Sequence, residues 1–341
     1  MISLLRQLCA PIAVSGREKA LRCLLISLLT PHCRLETDRA GNLIARKNGA
    51  GPAPARVVLF AHMDEVGLMI TDITDRGFLR FAAVGGIDPR IFPGKSVTLQ
   101  GTDGPVSGVI GIVPPHFLKG EDARRVPREE DLLIDIGAEN AEEAESRVRR
   151  GDVGVLNGDF TTLGSDKILS RALDDRAGCA VLVWLLQQPL PYDITAVFTV
   201  QEELGCRGAA AAAAALCPEI SLVLDATTAC DLPDVSSDKT VCCLHAGGVV
   251  SFMDRGCVYD KQLFDLLLET AERSRIPVQV KRAVAGANDS AGIFRAPGGV
   301  RTASLCLPCR YLHTPGCVID RQDLTSVGQL ALALLPRLSE L

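Results

Sequence analysis

Three apolar runs of the sequence end in acidic or histidine residues. "RVVLFAHMD" ends at His62 and Asp64, "ITAVFTVQEE" ends at Glu202 and Glu203, and "ISLVLDAT" places Asp225 after its apolar part. Continuous apolar runs of this length are typical of parallel strands that are covered on both faces. The carboxyl ends of such strands meet at one edge of the sheet, where open α/β sheets place their active sites. We therefore expect these five side chains to take part in chemistry.

Two adjacent carboxylates are costly at the end of an apolar strand. Glu202 and Glu203 repel each other, and neighbouring strand side chains point to opposite faces, so at least one of the two should face the interior. Strand alternation would give each glutamate a separate role. His62 and Asp64 are two residues apart and point the same way in an extended chain. A carboxylate beside a histidine commonly orients a metal-binding imidazole.

Three further residues add to this set. Asp174 and Asp175 open a predicted helix in "RALDDRAG", where one acid can cap the helix while the other faces a metal. His313 lies in "LHTPG", a rigid loop setting in which an exposed loop histidine is the alternative interpretation. Each signal is weak alone, but together they give two histidines and at least three carboxylates at segment ends.

This combination of donors favours a metal site. Nitrogen and oxygen ligands without thiolate suit divalent ions such as Zn²⁺, Co²⁺ or Mn²⁺. Two ions about 3.5–4 Å apart, bridged by one carboxylate, would need five ligands and a water. Bound cations would also explain why so many buried acids are tolerated.

Predicted helices alternate with the strands and indicate an α/β fold. They cover residues 16–29, 174–188, 207–217, 260–274 and the C-terminal stretch "RQDLTSVGQLALALLPRL".

Residues 68–164 have a different pattern. Short alternating stretches such as "GKSVTLQG" and "GPVSGVIGIV", interrupted by Gly and Pro, predict small antiparallel strands in a compact barrel. The charged stretch 119–132 predicts an exposed loop. We therefore expect one domain formed by residues 1–67 and 165–341, with residues 68–164 as an inserted β-rich domain.

Composition excludes several classes of protein. The 341 residues are 47% hydrophobic and 23% charged, which is typical of a globular protein with an ample core. Aromatic residues make up 4% and the net charge is −5, so neither a nucleic acid nor an anionic membrane is an expected partner. The thirteen cysteines lie mostly in apolar or helical stretches, and no run is long enough to span a bilayer. A reduced, cytoplasmic protein is expected.

Five motifs, in their order and spacing, resemble the tetrahedral-assembly (TET) aminopeptidases of metallopeptidase family 42. They are "AHMDEVG", "ALDDRAG", "VQEELGCRGA", "VLDAT" and "LPCRYLHTP". That family includes glutamyl and leucyl aminopeptidases and proteins once called cellulase M, and the resemblance covers almost the whole chain. It implies a three-layer α/β/α catalytic domain in which the insert is a small PDZ-like β-barrel for dimerisation. Dimers of this kind build a hollow twelve-subunit tetrahedron, although some relatives remain dimers.

The resemblance also implies a set of metal ligands. His62 and Asp225 each hold one of two divalent ions per subunit, with Zn or Co expected. Asp174 bridges the ions, while Glu203 and His313 complete the site.

Two catalytic residues follow from the same resemblance. Glu202 is the general base, and Asp64 orients His62. The peptide bond after the bridging Asp174 is expected to be cis. At "GANDSAG", Asn288 and Ser290 depart from the family pattern beside the expected substrate pocket, so the residue preference stays open.

The expected function is a dinuclear aminopeptidase acting on peptides with a free N-terminus. Metal-activated water would attack the scissile carbonyl while Glu202 takes its proton. Two alternatives remain: an amidase, deacylase or carboxypeptidase of the same superfold, and an inactive assembly protein. The intact ligand set argues against the second alternative. A homo-oligomer, from dimer to dodecamer, is expected.

Overall fold

The computed structural model describes residues 1–118, 120 and 125–341, so part of the predicted charged loop lies outside the described residues. The α-helices of the described ranges are α1 (Ile2–Cys9), α2 (Lys19–Leu29), α3 (Ala141–Arg147), α4 (Leu173–Leu186), α5 (Arg207–Leu216), α6 (Lys261–Ser274), α7 (Ser290–Ile293) and α8 (Arg321–Leu334). Short 3-10 helices occupy Pro89–Ile91, Pro115–Phe117, Glu129–Asp131 and Leu335–Glu340.

The strands form a long sheet, a barrel and a small third sheet. They are β1 (Arg34–Thr37), β2 (Leu43–Lys47), β3 (Val57–His62), β4 (Gly67–Ile73), β5 (Leu79–Val84), β6 (Ser96–Gly101), β7 (Gly104–Gly111), β8 (Leu133–Asp135), β9 (Val153–Leu156), β10 (Thr161–Leu163), β11 (Lys167–Ser170), β12 (Ile194–Thr199), β13 (Ile220–Thr228), β14 (Gly248–Val250), β15 (Val278–Val280), β16 (Arg301–Cys309) and β17 (Cys317–Asp320).

The long sheet has eight strands in the order β1-β2-β12-β3-β13-β16-β14-β15. The three apolar runs singled out in the sequence are β12, β3 and β13, which are neighbours and run parallel. All six residues of β3 are buried, because helices cover both faces of the sheet. The prediction of buried parallel strands is therefore confirmed.

Helices on the two faces of this sheet make three layers. The larger core lies between one face and helices α1, α2, α4, α6 and α8. On the other face a smaller core packs alanines of α5 and Ile293 of α7 against β2, β3, β12 and β13. Burying both faces of a mostly parallel sheet is what makes its continuous apolar strands stable in water. The fold is three-layer α/β/α, as the sequence predicted.

Directly after β3 the chain enters a closed barrel. Its strands follow the order β4-β5-β8-β7-β6-β9, and each neighbouring pair is antiparallel. The barrel has a hydrophobic core of its own, which includes Leu68, Phe81, Phe92 and Ile134. The prediction of small antiparallel strands in a barrel is thus confirmed. No helix in the described part of the chain is long and apolar enough to cross a bilayer.

Candidate metal and catalytic site

The structure brings the predicted site residues together at the carboxyl ends of the central strands. They are His62 at the end of β3, Glu202 and Glu203 after β12, Asp225 within β13, Asp174 at the start of α4, and His313 in the loop between β16 and β17.

Asp174 stands between two groups of side chains. Its Oδ1 lies 3.1 Å from His62 Nε2, which in turn lies 3.7 Å from Asp225 Oδ1. Its Oδ2 lies 3.4 Å from His313 Nε2, which lies 3.3 Å from Glu203 Oε2. The two oxygens of one carboxylate therefore face two different trios. His62 and Asp225 belong to the same trio, which differs from the expectation that each holds a separate ion.

The donor set fits divalent cations. Within each trio the ligand atoms lie within 4.8 Å of one another, which is close enough for one ion to contact all three. Glu203 Oε1 is buried and has no hydrogen-bond partner among the described residues. An unpartnered buried carboxylate oxygen is costly unless something positive contacts it. A cation held between Asp174, Glu203 and His313 would remove that cost.

Both histidines present the same ring nitrogen to the trios. Nδ1 of His62 lies 3.0 Å from the backbone carbonyl oxygen of Asp64, and Nδ1 of His313 lies 2.7 Å from that of Gly86. Since a carbonyl oxygen only accepts, each Nδ1 carries the proton and donates it. Each Nε2 is thereby directed at the carboxylates, as metal-binding histidines are commonly oriented.

Burial changes the protonation of the two glutamates. It raises the pKa of Glu202 to about 8, and the charges of Asp289, Glu203 and Asp174 add to the effect. Burial likewise raises the pKa of Glu203 to about 8, with Asp174 as the next cause. The pKa of Asp225 is also raised, by burial and then by the neighbouring Asp175 and Asp174. Positive charge placed among these acids would lower their pKa values again.

For the two histidines, the neighbouring acids outweigh burial in setting the pKa. Burial lowers the pKa of His313, but its hydrogen bond to Asp174 and the charge of Glu203 outweigh burial and raise the pKa to about 10. For His62 burial again acts downward, and hydrogen bonds to Asp174 and Asp64 raise the pKa well above its usual value. Without a bound cation the imidazoles therefore take up protons and act as the positive partners of the acids.

Asp64 connects β3 to the turn that carries the two glutamates. Its Oδ1 accepts from the backbone N–H of Glu202 at 3.0 Å, and its Oδ2 accepts from the backbone N–H of Glu203 at 3.2 Å. The hydroxyl of Ser15 also donates to Oδ2, at 2.6 Å. The same carboxylate lies 3.5 Å from His62 Nδ1. Asp64 thus fixes the backbone of both glutamates as well as lying beside the imidazole.

The two glutamates do not lie in a strand. β12 ends at Thr199, and Gln201 has a left-handed φ of 54° that turns the chain before Glu202. The expectation that strand alternation separates Glu202 from Glu203 is therefore wrong. A turn tied to the Asp64 carboxylate separates them instead.

One of the two neighbouring aspartates caps the helix and the other faces the metal-ligand side chains, as considered from the sequence. The Asp175 carboxylate accepts from the backbone N–H of Gly178 at 2.8 Å and from that of His62 at 3.2 Å. The first of these bonds is the type that caps a helix N-terminus. Asp174 points instead to the two trios, and the peptide bond between the two aspartates is cis.

A buried ion pair supports this region from behind. The Arg176 guanidinium is fully buried, donates to the Met63 carbonyl at 2.5 Å and contacts Glu65 Oε1 at 2.8 Å. Glu65 also pairs with Arg171 and accepts from the backbone N–H of Ala13 at 3.0 Å. The two arginines outweigh burial and lower the pKa of Glu65. These contacts fasten the chain between His62 and the barrel to the start of α4.

A cavity of about 370 Å³ opens onto the site residues. Asn288, one of the two departures noted in the sequence, lies on its wall, and its amide donates to Ser304 at 2.9 Å. Lys281 and Asp254 also line the cavity and were not predicted. Nothing in "VQVKRAV" distinguishes Lys281 from an exposed strand-end lysine.

Comparison with known proteins agrees with this geometry. The family model of the M42 glutamyl aminopeptidases matches residues 41–330. The chain belongs to this family.

Curated and solved relatives of this M42 protein extend over nearly its whole length. The putative aminopeptidase FrvX of Escherichia coli is 36% identical over 344 residues, covering 99% of this chain and 96% of the relative. Aminopeptidase APDkam598 of Desulfurococcus kamchatkensis superposes with a TM-score of 0.93 at 34% identity, covering 98% and 94% of the two chains. The Pyrococcus horikoshii TET1 peptidase, which assembles into a tetrahedron or a large octahedral shell, gives 0.86 at 33% identity, covering 98% of each chain.

Membership of the M42 family fixes the class of reaction. The chain is a metal-dependent aminopeptidase and therefore a peptide-bond hydrolase. The resemblance noted in the sequence is confirmed at the level of the family.

Proposed function

We propose that this M42 protein removes N-terminal residues one at a time from peptides with a free N-terminus, with two divalent ions per subunit. The observation that best supports two ions is the division of the Asp174 carboxylate, whose two oxygens face separate trios. One trio is His62, Asp174 and Asp225, and the other is Asp174, Glu203 and His313. Nitrogen and oxygen donors without thiolate favour Zn²⁺ or Co²⁺.

When bound, the ions supply Lewis acidity at a substrate carbonyl and lower the pKa of a water. Glu202 is the proposed general base. Its carboxylate lies within ligand distance of His62 and Glu203, but it does not belong to either of the trios that share Asp174. Its carboxylate accepts the proton of the attacking water and returns it to the departing amine. The Cys206 thiol, 3.4 Å from Glu202 Oε1, and the Asp64 bond to its backbone hold the glutamate in place.

We also propose a role for the barrel. Residues 68–164 form a PDZ-like dimerisation domain inserted into a catalytic domain of residues 1–67 and 165–341. The closed barrel with its own core supports this division. The dimer would be either the final assembly or the unit of a larger one, and the TET1 relative assembles into a tetrahedron or a large octahedral shell. Light scattering on the purified protein distinguishes a dimer from a dodecamer.

We propose a reducing, cytoplasmic compartment because the cysteines form no disulfides among themselves. All thirteen are free, and eight of them are buried in the interior, where a thiol packs as a small apolar group.

One experiment tests the proposed reaction. The protein is loaded with Zn²⁺ or Co²⁺, its metal content is measured, and a panel of aminoacyl p-nitroanilides is compared with the same panel carrying N-acetyl groups. We expect two ions per subunit and hydrolysis only of substrates with a free amine. Hydrolysis of the acetylated panel would instead identify a deacylase or amidase. An absence of hydrolysis by the fully loaded protein would favour an inactive assembly protein.

A further inference from the structure

Two buried cysteines lie at the two ends of the loop that carries His313. Cys309 is the last residue of β16, and Cys317 is the first residue of β17. The side chain of each is a hydrogen-bond partner of the other. The two thiols are therefore neighbours in the interior, although the whole loop separates them in the chain.

The backbone places the two cysteines on the same face where β16 and β17 lie side by side. The N–H groups of Arg310 and Val318 each donate to the carbonyl of the other residue, at 2.9 and 3.0 Å. This antiparallel bridge puts Cys309 diagonally across from Cys317. Diagonal neighbours lie roughly 7–8 Å apart, whereas a disulfide needs Cα atoms about 4.4–6.8 Å apart. Formation of a disulfide would therefore pull the start of β17, and the loop before it, toward β16.

The Cys317 thiol also holds the His313 loop in place. It donates to the carbonyl oxygens of Tyr311 and Thr314, each 3.3 Å from Sγ, and these carbonyls lie on either side of His313. Tyr311 and His313 both have a left-handed φ of 58°, which a non-glycine residue keeps only where its surroundings hold it. Loss of the S–H donor would therefore loosen the loop that directs the imidazole at the other two members of its trio.

A small cavity gives access to the Cys317 side chain. It has a volume of about 30 Å³, and Cys317, His313 and Thr314 are among the residues that line it. One water needs roughly 10–15 Å³ of such space, so the cavity has room for about two waters. Hydrogen peroxide, with two oxygen atoms, is of that size. The cavity therefore selects small peroxides over bulky oxidants.

The surroundings of Cys317 favour its thiolate. The hydrogen bond with Cys309 lowers the pKa of the Cys317 thiol and outweighs burial, which acts in the opposite direction. Burial instead raises the pKa of other buried thiols, such as those of Cys179 and Cys306. Since the thiolate is the form that attacks a peroxide, Cys317 is the reactive member of the pair.

We propose that Cys309 and Cys317 form a peroxide-sensitive switch that controls metal binding at the trio of His313; the proposal rests on the proposed function, which makes His313 a metal ligand. The Cys317 thiolate attacks one oxygen of hydrogen peroxide, the O–O bond breaks, and a sulfenic acid forms while the other oxygen leaves as water after taking up a proton. The Cys309 thiol then attacks that sulfur, so that an S–S bond replaces the S–O bond and the second oxygen also leaves as water. Two thiols and one peroxide thus give one disulfide and two waters, and a dithiol reductant restores the thiols.

Peroxide treatment of the metal-free full chain tests the switch. The wild type, C309A, C317A and the control C23S, which changes an exposed cysteine of α2, are compared. Peptide mass spectrometry should find the Cys309–Cys317 linkage in the wild type and in C23S. After removal of the reagents, calorimetric titration with Zn²⁺ should show one of two sites weakened by about 10-fold to 100-fold, and dithiothreitol should restore it. C317A, which lacks the S–H donor, should show the weakened site without peroxide, whereas reduced C309A should bind like the reduced wild type.

Several results would contradict the switch. It is overturned if Cys309 and Cys317 remain thiols while exposed cysteines are oxidised, or if the linkage forms and both Zn²⁺ affinities stay unchanged. A loss of affinity that is absent in C23S would assign the effect to Cys23 instead. If the reduced wild type binds metal but hydrolyses no aminoacyl substrate, the proposed reaction fails, while the linkage and the titration still decide the switch. Should C317A not fold, the wild type before peroxide, after peroxide and after dithiothreitol decides.

Discussion

The Oδ1 of Asp64 accepts a hydrogen bond of 3.0 Å from the backbone N–H of Glu202. Burial raises the pKa of this aspartate, but its hydrogen bond to His62 and that histidine's charge outweigh burial and lower it. An acceptor that stays ionised makes the stronger bond. Asp64 therefore positions the proposed base through the main chain.

Asp64→Asn should weaken both the base and the metal site. The amide group that replaces one oxygen cannot accept from the hydroxyl of Ser15 or the backbone N–H of Glu203. We expect a loss of about 10-fold to 100-fold in metal affinity or kcat, as for other partners of metal ligands. Calorimetric metal titration and steady-state kinetics measure the two effects. Asp72→Asn, at an exposed pair on the barrel, is the control and should change neither.

Glu202→Gln should retain metal and lose turnover. The glutamine keeps the shape of the side chain but cannot accept the water proton, so kcat should fall by about 10²- to 10⁴-fold. Metal content, measured after desalting, should match the wild type. The exposed Glu272→Gln on α6 provides a matched control. A Glu202→Gln enzyme with near-normal kcat would show that another group is the base.

Asp174→Ala and Asp225→Ala should differ in the number of ions lost. Asp174 contributes an oxygen to each trio, so its removal should prevent stable binding of both ions. Asp225 belongs to one trio, and its removal should release one ion and leave the other. Metal analysis of the two variants, beside the surface variant Asp265→Ala, measures this directly. Loss of only one ion from Asp174→Ala would contradict the bridging role.

The metal-free protein should lose stability as pH rises from about 5 to about 9. Burial raises the pKa of both Glu202 and Glu203 to about 8, while bonds to neighbouring acids raise that of His313 to about 10. Each group thus binds more protons in the folded state than in the unfolded state across this range, so the free energy of unfolding falls with pH. Thermal unfolding of chelator-treated protein measures the slope.

Metal should reverse that slope, because ligands must lose protons to bind an ion. The melting temperature of the loaded protein should therefore exceed that of the metal-free protein most at the alkaline end of the range. A metal-free Glu203→Gln variant should show a shallower fall than the wild type. A melting temperature of the metal-free wild type that rises toward pH 9 would contradict the raised pKa values.

Glu65→Gln should lower the free energy of unfolding of the protein. It leaves the buried Arg176 and the nearly buried Arg171 without their shared anion. Removing one partner of a buried ion pair costs about 3–5 kcal/mol. Urea unfolding measures the change, and the exposed Glu36→Gln, whose partner Arg46 also stays in contact with water, should cost less than about 1 kcal/mol.

The sequence predicted the site residues best where an apolar run ends in a histidine or an acidic residue. His62 and Asp225 could be located because β3 and β13 are continuous apolar strands, and the parallel sheet then brings their ends together. Ser15 could not be found this way, since it lies 49 residues before the Asp64 that it contacts and has no distinctive neighbours. The helix α1 was missed although Leu5, Leu8 and Cys9 have helical spacing and are buried.

The sequence also could not predict which charged side chains are buried and what compensates their charge. Lys281 differs from an ordinary surface lysine only in what surrounds it, which depends on how β14, β15 and β16 are ordered. The turn at Gln201 could not be predicted either, because a left-handed backbone at a non-glycine residue has no reliable sequence signal.

The bond between His313 Nδ1 and the carbonyl of Gly86 joins parts of the chain that are 227 residues apart. Gly86 follows β5 of the barrel, whereas His313 extends from the central sheet. The barrel is therefore not a detachable module, because it supplies the acceptor that sets the tautomer of a proposed metal ligand. A barrel grafted from a relative has to keep the Gly86 carbonyl oxygen in the same place, and the position of that oxygen depends on the backbone and not on a side chain.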